Sequence, residues 1–275
     1  MDLAVASTDN APVRLADYRP TPYRVTGIHL DFDLGASGTT VTAVTGFERR
    51  EGTEPGTPLV LDGDELTLVS LAMNGAPVPP GAFTAGPQRL EIAAPPAATF
   101  ELTVVTRLDP AANTKLMGLY RSSGNWCTQC EAEGFRRITY AYDRPDVLAV
   151  YTTRIEAAKS DAPYLLSNGN PVEKGDVPGT DRHFAVWHDP HPKPAYLYAM
   201  VAGDFGRIED RFTTMSGRDV ALEIFVEHGR EDRAGYAMDA LKRSMRWDEE
   251  VYGREYDLDV FMIVAVGDFN MGAME

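Results

Sequence analysis

Apolar and polar residues alternate along much of the chain. Ile28, Leu30 and Phe32 fall on one face of the segment 23–34, and a period of two in β-forming residues is typical of a half-buried strand. The segment 39–48 repeats the pattern, and the Gly-Ala-Ser-Gly link at 35–38 predicts a hairpin turn. Further strands are predicted at 59–61, 66–71, 89–92, 99–108, 148–155, 183–187, 195–202 and 220–226. Short strands separated by turns predict a mostly β fold that begins with an antiparallel β-sandwich or saddle domain.

A helical period replaces the alternation after Glu231. The segment 232–252 carries one mainly apolar stripe at helical spacing, formed by Met238, Leu241, Met245, Asp248 and Tyr252. Asp232 is the predicted N-cap, and Gly253 is the predicted C-terminal stop. The apolar segment 260–266 then predicts a strand that is covered on both faces. We therefore predict a β-rich N-terminal domain over 1–203 and the α+β start of a second, incomplete domain over 204–275.

Composition and charge narrow the classes of protein and partner. Hydrophobic residues make up 44% of the chain and charged residues 24%, as is typical of a globular protein. The 41 acidic residues outnumber the 26 Lys and Arg residues, which gives a formal net charge of −15 at pH 7. Because this charge repels phosphate backbones and anionic lipid surfaces, we expect no nucleic-acid partner and no membrane partner.

The chain shows no targeting or membrane-spanning pattern. Its first residues, Met-Asp-Leu-Ala-Val-Ala-Ser, lack the positive charge and the apolar length of a secretory signal. The longest apolar run, 260–266, is far shorter than the ~20 residues of a membrane-spanning helix. Two cysteines suit a reducing compartment. We expect a cytoplasmic protein, and a monomer.

Cys127 and Cys130 form a C-x-x-C pair. Such a pair can be a thiol redox site or half of a structural zinc site. A zinc site needs two more Cys or His ligands at matching spacing, and a thioredoxin-like site needs the pair at a helix N-terminus. The β-rich sequence around this pair favours neither interpretation, although the redox alternative stays open.

The histidines do not form a zinc-peptidase helix. None of His29, His183, His188, His191 and His228 is followed by Glu, so the chain contains no His-Glu-x-x-His motif. His188 and His191 are the closest pair, but the prolines at 190, 192 and 194 predict a turn or polyproline segment rather than a shared helix face. We predict no metal ligand in this chain.

Several motifs occur in the order found in one known family. They are Cys-Thr-Gln-Cys-Glu-Ala-Glu-Gly-Phe-Arg at 127–136, Asp-Arg-Pro-Asp at 143–146, Leu-Ser-Asn-Gly-Asn at 166–170, Asp-Pro-His-Pro-Lys-Pro at 189–194 and Val-Ala-Gly-Asp-Phe at 201–205. The closing Met-Gly-Ala-Met-Glu at 271–275 is similar to the start of a Gly-Ala-Met-Glu-Asn motif, without the final Asn. Over residues 18–275, the chain resembles the bacterial aminopeptidase N branch of the M1 zinc aminopeptidases.

The resemblance implies a fold, an activity and a cofactor. The fold is a β-rich N-terminal domain followed by a thermolysin-like catalytic domain, of which this chain holds only the start. The activity is the zinc-dependent release of N-terminal amino acids from peptides with a free N-terminus. The zinc-binding helix of the family lies beyond the closing motif. We therefore expect an N-terminal portion of the enzyme that has no catalytic group or metal ligand and is inactive alone.

The resemblance also assigns substrate-binding roles. The residues implied are Gln129, Glu131, Met271, Gly272, Ala273 and Glu275. Glu131 and Glu275 are the two carboxylates expected to bind the α-ammonium of the substrate, with Gln129 reaching into the same site. Gly272 and Ala273 are expected along the substrate backbone, and Met271 at the pocket for the first side chain. The ordinary alternatives are a solvent-facing acid for Glu131 and core packing for Met271.

A protein of another class is the main alternative. A stand-alone β-rich binding or interaction module could keep the front end of the family without its chemistry. Such a module should have a covered apolar surface around 260–266, whereas an incomplete domain should leave part of that surface exposed.

Overall fold

The computed structural model describes residues 14–95, 97–269 and 271–272. The strands are β1 (Tyr23–Gly35), β2 (Gly38–Arg49), β3 (Leu59–Asp62), β4 (Thr67–Met73), β5 (Ala76–Pro77), β6 (Phe83–Gly86), β7 (Arg89–Ile92), β8 (Thr99–Leu108), β9 (Gly118–Ser122), β10 (Asn125–Gln129), β11 (Leu148–Ala158), β12 (Tyr164–Ser167), β13 (Asn170–Asp176), β14 (Arg182–Pro194), β15 (Met200–Gly203), β16 (Gly206–Thr213), β17 (Asp219–Val226) and β18 (Val260–Val264). The α-helix is α1 (Gly235–Tyr252), and short 3-10 helices lie at Leu15–Asp17, Phe135–Arg137, Ala195–Leu197 and Glu231–Arg233. The predicted mostly β fold is confirmed.

An eight-stranded sheet forms the largest layer, in the order β13-β14-β11-β1-β2-β8-β4-β5. Along β1 the residues Ile28, Leu30 and Phe32 are buried, as their alternation predicts. The predicted hairpin joins β1 to β2, with Gly35 opposite Gly38. The sheet is antiparallel except at its centre, where β1 and β11 run parallel.

Two smaller sheets share one core with the large sheet. Their strand orders are β12-β15-β10-β9 and β3-β7-β6. A single cluster of buried apolar side chains joins all three sheets. At its centre the Tyr198 ring lies 5.3 Å from the Phe135 ring and 5.6 Å from the Tyr151 ring, between centroids.

The last part of the chain forms a three-stranded sheet, β16-β17-β18, with α1 packed against it. Strand β17 is central and apolar because both of its faces are covered. Leu222 and Ile224 pack with Leu241 of α1 in a second apolar cluster, whereas Phe225 lies 5.1 Å from Tyr164 and belongs to the first core. Strand β15 ends at Gly203, and the division of the chain into 1–203 and 204–275 stays a prediction.

The start of α1 differs from the prediction. Asp232 was the predicted N-cap, but it lies in the 3-10 helix Glu231–Arg233, and Ala234 occupies the N-cap without a side-chain hydrogen bond. The N–H of Ala234 instead donates to the carbonyl of Glu231 at 3.1 Å. The end was predicted correctly, since Gly253 adopts the left-handed conformation with φ 62°.

The proline-rich segment, which was predicted as a turn or polyproline segment, is the bulged end of a strand. Strand β14 continues to Pro194, with Asp189 opposite Tyr151 and Lys193 opposite Ala149. The intervening residues of β14 lie opposite a single residue of β11, and such a bulge takes proline out of the hydrogen-bonded ladder. Similarly, the predicted strand 195–202 begins as the 3-10 helix Ala195–Leu197 before β15 starts.

Within the described part of the chain, no helix is both long and apolar enough to cross a membrane.

Candidate functional site

The β9–β10 hairpin carries Gln129 and leads directly to Glu131, two of the predicted site residues. Its strands pair from Asn125 opposite Ser122 to Gln129 opposite Gly118. The turn uses Ser123 and Gly124, both with positive φ, which matches the twist of a tight two-residue hairpin. Strand β10 also pairs with β15, so it is held on both sides. Side chains at the end of β10 therefore sit on a rigid support.

Gln129 ends β10 and is fully buried, at 0% exposure. Its Oε1 accepts a hydrogen bond from the N–H of Glu131 at 3.0 Å. Its Nε2 is buried without a hydrogen-bond partner among the described residues. A buried donor without an acceptor costs stability, and most such groups in proteins are satisfied. An external acceptor would remove that cost.

Glu131 lies two residues further, in the turn after β10, and is only partly buried. Its carboxylate has no ion pair or hydrogen bond within the parts of the chain that the structure describes. The neighbouring acid Glu133, in contrast, pairs with Arg136 at 3.3 Å. The free carboxylate of Glu131 is thus available to a cation from outside these residues.

The turn that carries Glu131 is closely packed against neighbouring backbone and side-chain atoms. The N–H of Gly134 donates to the carbonyl of Cys130 at 2.8 Å. A Cβ at Gly134 would lie 2.4 Å from the backbone oxygen of Gln129, so only glycine fits this position. Arg136 closes the turn by donating from Nε to the carboxylate of the buried Asp143 at 3.1 Å. Burial raises the pKa of Asp143, while the hydrogen bonds from Arg136 oppose that rise.

Both cysteines of the C-x-x-C pair are buried free thiols. Burial raises the pKa of Cys127 to about 11 and raises that of Cys130 well above its ordinary value. Since the thiolate is the nucleophile in thiol exchange, these surroundings suppress the reactive form. The geometry therefore favours packing over the redox alternative.

The segment after β18 reaches the same hairpin. The hydroxyl of Tyr120 donates to the backbone oxygen of Asp268 at 2.8 Å. The hydroxyl of Ser122 accepts the N–H of Asp268 at 2.9 Å and lies 3.1 Å from its Oδ2. Burial raises the pKa of Tyr120, so this hydroxyl keeps its proton. Sequence reasoning missed all three residues, because a contact across 146 positions leaves no local pattern.

The predicted residues of the closing motif are only partly described. Met271 is partly buried and Gly272 is exposed. Ala273 and Glu275 lie outside the described residues, so their predicted roles stay predictions. The structure brings the hairpin of Gln129 and the segment that leads to Met271 together through Asp268.

The described ranges hold no cluster of three or more His, Cys, Asp or Glu side chains that could bind a metal ion. His188 contacts the hydroxyl of Thr152 at 2.9 Å, and His191 lies 3.3 Å from the carboxylate of Asp257. His228 lies 2.9 Å from Asp204, and this hydrogen bond raises the pKa of the imidazole. The donor sets around these histidines do not fit a zinc ion.

Comparisons with known proteins identify the family. The Peptidase M1 N-terminal domain matches residues 84–197. Aminopeptidase N of Caulobacter vibrioides is 56% identical over 263 residues, which cover 96% of this chain and 30% of that protein. The chain belongs to the M1 peptidase family. Aminopeptidase N of Escherichia coli, another M1 relative, is 53% identical over 94% of this chain and 29% of its own length.

Solved M1 structures agree in fold. Aminopeptidase A of Legionella pneumophila, solved in complex with aspartic acid, superimposes with a TM-score of 0.88 at 34% identity. The match covers 94% of this chain and 30% of that one. A mutant M1 zinc metallopeptidase of Deinococcus radiodurans shares the fold with a TM-score of 0.72 at 18% identity. The chain thus spans about 30% of the length of the curated relatives named above.

Proposed function

We propose that this chain is the N-terminal, substrate-anchoring portion of a zinc-dependent aminopeptidase that releases N-terminal amino acids from peptides. The M1 relatives named aminopeptidase N support the reaction class. One observation carries the anchoring role. Among the described residues, the buried Nε2 of Gln129 has no acceptor and the carboxylate of Glu131 has no cation, and the two residues are joined by a hydrogen bond from the Glu131 N–H to Gln129 Oε1.

The first residue of a peptide can supply a partner for both the Gln129 amide and the Glu131 carboxylate. Its α-ammonium supplies a cation, and the carbonyl that follows supplies an acceptor. At ~4 Å and an effective dielectric constant near 20, an ammonium–carboxylate contact is worth up to about 4 kcal/mol before desolvation is subtracted. Glu131 would bind the ammonium and Gln129 would donate to the carbonyl. An exopeptidase needs such an anchor because it must recognise the chain end.

The closing motif completes the proposal. Glu275 would be a second carboxylate for the ammonium, Gly272 and Ala273 would follow the substrate backbone, and Met271 would line the first side-chain pocket. With two carboxylates in the site, an acetylated N-terminus would leave both acids without a counter-ion, so blocked peptides would bind poorly.

Zinc belongs to the proposal for the whole enzyme only. The Deinococcus radiodurans relative in fold is a zinc metallopeptidase, and zinc in such enzymes polarises the scissile carbonyl and activates water. The sequence of this chain has no His-Glu-x-x-His motif. We therefore expect the 275-residue chain to be inactive alone and not to retain stoichiometric zinc after dialysis. The two buried free thiols support a reducing, cytoplasmic location, and we propose a monomer.

Calorimetric titration of the chain with a dipeptide amide tests the anchor. The peptide with a free N-terminus should bind at least ~10-fold more tightly than its N-acetyl form, because one charge contact is worth a kcal/mol or more. Glu131→Gln should reduce that preference, because it removes one of the two carboxylates proposed for the ammonium. Glu133→Gln, whose carboxylate already pairs with Arg136, is the matched control and should preserve it. Equal binding of the two peptides by the unaltered chain would overturn the anchoring role.

A stand-alone interaction module is the second candidate. Helix α1 exposes several large apolar side chains, with Trp247 at 52% and Tyr252 at 63%. A groove of about 660 Å³ lies between α1 and β18, lined in part by Leu241, Met245 and Phe261. A stand-alone module should cover an apolar surface of this kind, whereas an incomplete domain should leave it exposed, so the exposed residues of α1 favour the first candidate over this one. Steady hydrolysis of an aminoacyl chromogenic substrate by the chain alone would exclude this candidate and also overturn the expected inactivity.

A further inference from the structure

Asp268 is tied to the β9–β10 hairpin by three hydrogen bonds. Tyr120 binds its backbone oxygen, and Ser122 binds both its N–H and its carboxylate. Tyr120 is 0% exposed and Ser122 is 2% exposed, whereas Asp268 itself is exposed. Buried side chains in a paired hairpin move little, so they fix the exposed segment rather than the reverse.

The segment is also held on its other side. The N–H of Ala265 donates to the carbonyl of Phe225 at 2.9 Å, which extends the β17–β18 pairing beyond β18. Between these two anchors, Gly267 passes close to the hairpin turn, since a Cβ there would lie 3.2 Å from the Ser123 hydroxyl. The chain is therefore fixed at 265 and at 268, three residues before Met271.

The same hairpin carries Gln129. Tyr120 pairs with Cys127, and Gln129 follows Cys127 by two positions on β10. At ~3.3 Å per residue, the position opposite Tyr120 is about 7 Å along the strand from Gln129. One rigid element thus bears both the Asp268 contact and the residue with the unmet donor.

We propose that Tyr120 and Ser122 are positioning residues, which hold Asp268 and thereby fix Met271 and Gly272 against the hairpin that carries Gln129 and Glu131. The purpose of this arrangement rests on the proposed function. It keeps the two parts of the peptide-binding site in register, although one lies at the end of β10 and the other follows β18, which are strands of different sheets. Neither residue touches the substrate in this proposal.

Hydrogen exchange in the 275-residue chain tests the contact without any substrate. Ser122→Ala and Tyr120→Phe should each speed exchange of the amides around 265–272 by roughly 10-fold, because the first removes two hydrogen bonds to Asp268 and the second removes one. Ser167→Ala and Tyr140→Phe are matched controls. They remove buried hydroxyls that donate to the carbonyls of Ala199 and Gly86, which are far from 265–272 in the chain. These two variants should leave the exchange rates of the amides around 265–272 unchanged. Asp268→Asn keeps both backbone hydrogen bonds of residue 268, so the amides around 265–272 should exchange more slowly in this variant than in Ser122→Ala.

Dipeptide affinity of the same variants separates the two proposals. If the unaltered chain prefers a free N-terminus, Ser122→Ala and Tyr120→Phe should reduce that affinity by ~3- to 10-fold, while the controls should not. If the unaltered chain shows no preference, the proposed function fails, and the holding role is then judged by exchange alone. Unchanged exchange in both variants, or equal changes in the controls, would overturn the positioning role.

Discussion

The β9–β10 hairpin and helix α1 lie in one chain but differ in how their surfaces are covered. Gln129 on the hairpin is fully buried, whereas Trp247 and Tyr252 on α1 are more than half exposed. Among the described residues of the hairpin, Gln129 alone has a buried side-chain polar atom without a partner, and such atoms are uncommon in folded proteins. On α1 the exposed apolar side chains indicate a contact surface instead. A buried polar atom without a partner therefore points to a ligand, whereas exposed apolar side chains point to another polypeptide.

Two glycines should show the largest difference between the regions. Gly134→Ala should lower the free energy of unfolding by about 3 kcal/mol, because its Cβ would meet the backbone at 2.4 Å. Gly235→Ala, at the start of α1 with nothing within 4 Å, should raise it by about 0.5 kcal/mol. Urea unfolding of both variants measures the contrast. Equal stabilities would mean that the turn below Glu131 is not tightly packed.

The Cys127 thiol should react slowly while the protein is folded. With a pKa of about 11 against an ordinary value of 9.0, its thiolate fraction at pH 8 is about 100-fold smaller, so an aromatic disulfide reagent should react at least that much more slowly than in urea. The comparison uses a Cys130→Ala variant, in which Cys127 is the remaining thiol. Fast reaction of the folded protein would revive the redox alternative.

The same thiol should affect stability at high pH. Its folded pKa lies above the unfolded value, so the folded state binds this proton more tightly. The stabilising contribution is full below pH 9 and is lost as the pH rises toward 11. The decline should be smaller in Cys127→Ala. An identical decline would assign the effect to the buried tyrosines.

The smallest effect is expected on the α1 surface. Trp247→Gln should change the free energy of unfolding by no more than about 0.5 kcal/mol, since the side chain is 52% exposed. It should, however, reduce the fluorescence of a hydrophobic dye bound to the unaltered chain. A chain that binds no dye and stays monodisperse would favour the interaction module, because its apolar surface would then be covered.

Local pattern predicted much of the fold. The strands around Leu30 and the turn at 35–38 were predicted because alternation and glycine spacing are properties of neighbouring residues. Asp232 failed as an N-cap because it lies inside a 3-10 turn, and that turn continues through Ala234 into α1 by the hydrogen bond from the Ala234 N–H to the Glu231 carbonyl. The proline-rich end of β14 was predicted as a turn or polyproline segment, and its strand pairing was missed because the bulge exists only opposite β11.

The candidate site, like the fold, was predicted only where its residues are neighbours in the sequence. Gln129 and Glu131 were found through a motif, which is contiguous in sequence. Nothing in the sequence indicated that Gln129 keeps a free donor, since that depends on what surrounds its side chain. Tyr120 and Ser122 were missed because their partner, Asp268, is far away in the chain.

The sequence by itself determined the period of the strands, the position of α1 and the family to which the chain belongs. These follow from residues that are neighbours or stand in fixed order. Only the tertiary structure decided that β1 runs parallel to β11 and that the segment around Asp268 lies on the β9–β10 hairpin. Both require segments far apart in the chain to meet. Such pairings are selected by the joint burial of two surfaces and by hydrogen bonds between them, which no local pattern encodes.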